Sequence, residues 1–236
     1  SRVETLIRVV EKNLELLREI VERSLRVIKK NLRLLEEVAR LSLKVIKELL
    51  EEIKRRVRTE DLLRDVERKI RDLLRKNEDL ARRVREINET LLEENRELLR
   101  RAEKVNKRIL DLIRNNEKPS EVLARELEKV NREVLKALEE SHRKLRKVNK
   151  EVLEVLKRSH DETEKVLREI LTELRRSGNE DRRVKEELKR LLEKHRELLK
   201  EAVKRSEDVL KEHKEVLDDV RRESEKVLEE LRRAET

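Results

Sequence analysis

The 236-residue sequence has no cysteine, methionine, phenylalanine, tyrosine or tryptophan, and only one glycine and one proline. Lack of cysteine excludes disulfides, thiolate zinc sites and thiol chemistry, and leaves the redox compartment undetermined. Lack of aromatic rings removes the platforms on which nucleic-acid bases stack, so no specific nucleic-acid partner is expected. It also removes the side chains that supply most buried area in ordinary domains. No apolar run approaches the roughly 18 residues of a membrane span, and no targeting segment is recognisable. The expectation is a soluble chain without a membrane partner.

What remains is a narrow alphabet. The apolar residues are Leu, Val, Ile and Ala, and 51% of the chain is charged, about twice the usual 25%. Glu, Lys and Arg are strong helix formers, and the aliphatic set packs in few rotamers. The formal net charge is +9, with +6 in residues 1–58, +2 in each of 59–116 and 117–178, and −1 in 179–236. Both signs alternate along every segment, which suits a mixed, solvated surface.

Apolar residues recur at three- and four-residue steps, so the chain reads as helix throughout. Three interruptions divide it. At Arg58-Thr59-Glu60-Asp61, Thr59 can cap a helix whose positive end welcomes the two acids. In Asn115-Asn116-Glu117-Lys118-Pro119-Ser120, Pro119 suits a first helical position. In Ser177-Gly178-Asn179, glycine ends one helix and asparagine caps the next. Ser1 with Glu4 forms a capping box. The spacing predicts an all-α, antiparallel up-down-up-down four-helix bundle over residues 1–236, with helices at about 2–58, 60–115, 119–176 and 180–234. Each helix would be on the order of 80–85 Å long.

The repeat length bears on their shape. Residues 12–29 and 30–47 are identical at 11 of 18 positions. The same 18-residue step relates Asn77 to Asn95, Asn131 to Asn149 and His195 to His213. Eighteen residues in five turns is the 3.6-residue period of an unstrained helix, whereas heptads impose a left-handed supercoil. Straight helices are therefore expected.

Polar residues interrupt the apolar stripe at regular heights. A buried polar group without a partner costs about 1–3 kcal/mol, so each needs a neighbour at its own level. Residues level with one another in an antiparallel pair have a constant sum of numbers. That sum is 119 for the polar residues of helices 1 and 2, 237 for helices 2 and 3, and 355 for helices 3 and 4. Half of each sum falls on one of the three turns. The layers that result are Asn13/Asn106/Asn131/Ser224, then Ser24/Asn95/His142/His213 with Ser141 beside it. Asn31/Asn88/Asn149/Ser206 follows, then Ser42/Asn77/His160/His195 with Ser159 beside it. Paired networks of this kind fix register, because a slipped helix would bury unpaired amides.

These layers, the 18-residue period and the idealised turns resemble the family of computationally designed helical bundles with modular buried hydrogen-bond networks. Designed heterodimers of two helical hairpins are similar in style. The resemblance covers the whole chain and implies a single-chain scaffold, or two hairpin halves (1–116 and 117–236), with no enzymatic activity.

Sharper readings of particular residues are weaker. Zinc takes three or four Cys, His or carboxylate ligands, and the layers that hold His142 with His213 and His160 with His195 add only Ser and Asn. Ser141 and Ser159 adjoin histidines but have no inward acid to complete a catalytic triad. No cofactor, metal or catalytic residue is expected. Buried imidazoles that must charge would weaken the bundle in mild acid. Helix 1 has 26 apolar residues in 1–58, against 17 in 179–236. Its surplus, Val9, Leu16, Val27, Leu34 and Val45, widens the buried arc to about 180°, which reads first as a more deeply packed helix and, as the sharper alternative, as a candidate surface for a homo-oligomer or a partner.

Overall fold

The computed structural model describes residues 2–56, 60–115, 120–176 and 182–235. They form four helices: α1 (Arg2–Arg56), α2 (Glu60–Arg114), α3 (Ser120–Arg176) and α4 (Arg182–Glu235). No strand occurs among the described residues. The observed ends lie within a few residues of the expected ones. The capping residues Ser1, Thr59, Pro119, Gly178 and Asn179 lie outside the described residues. Asn115 does not: its backbone N–H donates to the Asp111 carbonyl at 3.0 Å and closes the last turn of α2.

Two compact units emerge, and every helix contributes a segment to each. The first comprises Ser1–Lys30, Asn88–Arg146 and Asp208–Thr236, the second Asn31–Ile87 and Lys147–Glu207. On α1 the division falls one residue past the 12–29 copy of the repeat, so each unit carries about one copy. This is the chemical consequence of a duplicated stripe.

The first unit has two apolar clusters. One gathers Leu6, Val10, Ile109, Leu127, Val227 and Leu231, the other Leu17, Ile20, Leu98, Val134, Leu138 and Val216, and all four helices supply both. In the second unit Ile46, Leu49, Ile53, Ile70, Ile170 and Leu188 are central to a third. Fully burying one such side chain is worth roughly 1.5–3 kcal/mol. Each unit is thus self-sufficient in apolar material.

Ion pairs give the order of helices around each unit. In the first, α1 meets α4 through Lys12–Glu230, Arg23–Asp219 and Lys30–Glu212, and meets α2 through Arg18–Glu103. Lys144–Glu94 joins α3 to α2, and Arg221–Glu139 joins α4 to α3. In the second unit Glu37–Arg205 and Glu48–Lys194 join α1 to α4, and Glu36–Arg85 joins α1 to α2. The five α1–α4 pairs share one sum of residue numbers, the mark of antiparallel neighbours. Their polarity reverses between units: α1 supplies the cation in the first and the acid in the second. Most are half-exposed, and such pairs couple by less than about 1 kcal/mol. A double-mutant cycle on Arg23→Ala and Asp219→Ala is expected to stay below that value in urea denaturation.

The extra apolar flank of α1 does not form an outward surface: it packs more deeply, and the alternative of a candidate interface there is corrected. Val9, Val27, Leu34 and Val45 are buried within the chain, and Leu16 is half-buried against both clusters of the first unit. The surplus deepens α1 in its own bundle. Exposed large apolar side chains among the described residues are Val3, Val122 and Val203, none of them on that flank.

Candidate functional site: buried polar layers

Helical spacing turns the layer residues inward, and all but two are buried. Asn13, Ser24, Asn31, Ser42, Asn77, Asn88, Asn106 and His213 are inaccessible to solvent. His142 and Ser224, expected to be buried, are only half-buried. Each lies at the edge of its layer.

In the first unit, an asparagine layer crosses the centre. Asn13 Nδ2 donates to Asn131 Oδ1 at 3.0 Å, and Asn131 Nδ2 donates back to Asn13 Oδ1 at 2.9 Å. This reciprocal pair ties diagonal helices α1 and α3. Asn13 Nδ2 also reaches Asn106 Oδ1 at 3.2 Å, Asn131 Nδ2 reaches Ser224 Oγ at 2.9 Å, and Asn106 Nδ2 caps the Ala102 carbonyl. One layer therefore links all four helices.

The second unit repeats the motif. Asn31 and Asn149 exchange bonds at 2.9 Å in both directions, and Asn149 Nδ2 donates to Ser206 Oγ at 2.9 Å. The expectation concerned consecutive helices only, so it missed the diagonal amide pairs. Their signal was available. Both span 118 residues, half of the 236-residue chain. The same offset carries Ser24 to His142, Ser42 to His160, Asn95 to His213 and Asn77 to His195. The α3–α4 hairpin thus echoes α1–α2, with imidazoles in place of smaller polar groups.

The histidine layers follow from that substitution. In the first unit His142 Nδ1 and His213 Nδ1 lie 3.0 Å apart, and His213 Nε2 lies 2.8 Å from Ser24 Oγ. In the second, His160 Nδ1 and His195 Nδ1 are 2.9 Å apart, and His195 Nε2 is 2.7 Å from Ser42 Oγ. The ring planes are nearly parallel, at 4° and 8°, with centroids 5.2 and 5.1 Å apart. A centroid separation one ring-width longer than the N···N contact means that the rings meet end to end. Within each pair one neutral imidazole donates Nδ1–H to the bare Nδ1 of the other.

The asparagines assigned to these layers bond elsewhere, which corrects the expected pairing. Asn95 Nδ2 donates to Ser141 Oγ at 3.1 Å and to the Leu91 carbonyl at 2.8 Å. Ser159 Oγ donates to Asn77 Oδ1 at 3.1 Å. One residue is 100° of helix, so Ser141 and Ser159 turn toward α2 while His142 and His160 turn toward α4. Each layer is two small networks side by side. Thr163, which the sequence reading passed over, is also buried, and its hydroxyl donates to the Ser159 carbonyl at 2.6 Å.

Burial governs the protonation of the imidazoles. His195 and His213 are pushed down to about 4 by loss of solvent, with the neighbouring histidine adding to the shift. His142 is lowered by burial, then by Arg146 and Lys214. His160 is lowered chiefly by burial, although Glu164 pulls the other way. All four shifts favour the neutral imidazole at pH 7, and half-buried His142 keeps partial access to solvent. No group of three or more His, Cys, Asp or Glu among the described residues could hold a metal ion, and no helix there is long and apolar enough to cross a membrane. No protein-family model, curated protein or solved structure matches this chain.

Proposed function

We propose that this chain is a de novo designed structural scaffold whose mechanism is self-recognition, with buried Asn, Ser and His layers that specify which helices meet and at what register. The repetition of the same two networks, one of each per unit, is the observation that carries this reading. An apolar core drives association without selecting a unique pairing, whereas directional buried bonds penalise misaligned alternatives other than a slide by a whole 18-residue copy. The reading includes no enzymatic activity and no obligatory partner. Straight, uncoiled helices belong to the same proposal, on the strength of the 18-residue period. The test replaces Asn13, Asn31, Asn131 and Asn149 together with Leu. Helicity and denaturant resistance are expected to survive, while native mass spectrometry and amide NMR report a mixture of oligomers or conformers. A single monomeric species with one unsplit set of amide signals would overturn the proposal.

A second reading is favoured by the in-line imidazole pairs: the bundle responds to acid. Each pair is held neutral, and charging it takes a proton into a dry layer. Protonation would then weaken the same contacts that specify the pairing.

A further inference from the structure

Over residues 33–47 the outward face of α1 in the second unit has cations alone along one ridge, and exposed Glu51, one turn further on in the same sector, ends the row. At 100° per residue, Arg33, Arg40, Lys44 and Lys47 fall within a sector of about 60°. All four are exposed, and none forms an ion pair among the described residues. The acids that border the ridge are engaged sideways: Glu36 with Arg85 of α2, and Glu37 and Glu48 with Arg205 and Lys194 of α4. The row is about 21 Å long, from the 1.5 Å rise per residue. On the outward face of α3 in the same unit the signs instead alternate through Lys147, Glu154, Arg158, Asp161 and Lys165. The ridge is a local departure from a mixed surface.

We propose that this ridge binds the phosphate backbone of a duplex nucleic acid, by charge alone and without sequence preference. A duplex presents about one negative charge per 1.7 Å of axis, and each phosphate neutralised by Lys or Arg releases condensed counterions. A straight row of unpaired cations can lie along such a polyanion. The ridge has no side chain suited to reading base edges, and the chain has no aromatic ring to stack on bases, so recognition stops at the backbone. An anionic membrane is the weaker match, because surface-lying helices also insert apolar side chains. None of the exposed large apolar residues, Val3, Val122 and Val203, lies on the ridge.

Fluorescence anisotropy of a short labelled DNA duplex tests this with the full chain. Affinity is expected to fall about a hundredfold between 50 and 200 mM salt, as four phosphate contacts require. The variant R33Q/R40Q/K44Q/K47Q should weaken binding at least tenfold at 50 mM salt and flatten the salt dependence. The control K147Q/K150Q/K157Q/K165Q, with the same loss of charge on exposed positions of α3, should change it less than threefold. Circular dichroism verifies that both variants keep their helices. An equal loss in the control would show diffuse net charge only and overturn the proposal. So would absence of binding at 50 mM salt, or tighter binding to phosphatidylserine vesicles than to the duplex.

Discussion

Acidification from pH 7 to pH 5 is expected to remove roughly 4 kcal/mol of stability from this protein, about 2 kcal/mol for each of two imidazoles. The groups are His195 and His213, whose folded-state values are pushed down to about 4 by burial. In the unfolded chain they titrate near 6.5. Between those values the unfolded chain holds more protons than the folded one, so stability rises with pH across this window. The contribution is complete above about pH 6.5 and is lost progressively as pH falls toward 4. His142 and His160, also lowered, act in the same direction. Their contact with the buried partner means that each pair accepts one proton more readily than two. Urea midpoints at pH 7 and pH 5 provide the measurement. The variant H142N/H160N/H195N/H213N should lose most of the difference. If its midpoint moves as far as that of the parent chain, the histidine layers are not the cause.

Removing one partner of the diagonal amide pair should cost more than removing both. Asn13→Leu takes away two bonds to Asn131 and one to Asn106. It leaves Asn131 Oδ1 and Asn106 Oδ1 buried without that donor. An orphaned buried polar group costs about 1–3 kcal/mol, and two disturbed groups with imperfect packing bring the expected loss to about 3 kcal/mol. In Asn13→Leu/Asn131→Leu the Asn131 orphan is gone and only Asn106 Oδ1 still lacks the Asn13 donor. The double variant should therefore recover at least 1 kcal/mol relative to the single one. Denaturant unfolding of the two variants and the parent decides. Strictly additive losses would show that the reciprocal pair contributes no coupling.

Much of this architecture could be read from residue spacing. Helix positions followed from the apolar period and three interruptions, because a helix with nearly half its residues facing solvent leaves a strong periodic trace. The heights of the layers followed from constant sums, because antiparallel helices with matched rise keep level residues level. Two features escaped. The Asn13–Asn131 and Asn31–Asn149 pairs cross the diagonal, where parallel helices obey a constant difference instead of a constant sum. Asn95 and Asn77 meet Ser141 and Ser159 rather than histidine, because rotation around the helix matters as much as height. The apolar surplus of α1 was legible as deeper packing and does face inward, since its width reflects how deeply that helix packs and not an unpartnered side.

The reversal of ion-pair polarity between the units answers a weakness of any repeated sequence. Sliding α4 past α1 by one 18-residue copy could set Ser42 opposite His213, so the polar layers alone would tolerate the shift. The charges do not. The same slide brings Glu37 against Glu223 and Glu48 against Glu212, where the native alignment gives each glutamate a cation. Periodicity makes the layers ambiguous, and an antisymmetric surface pattern tells one copy from the next.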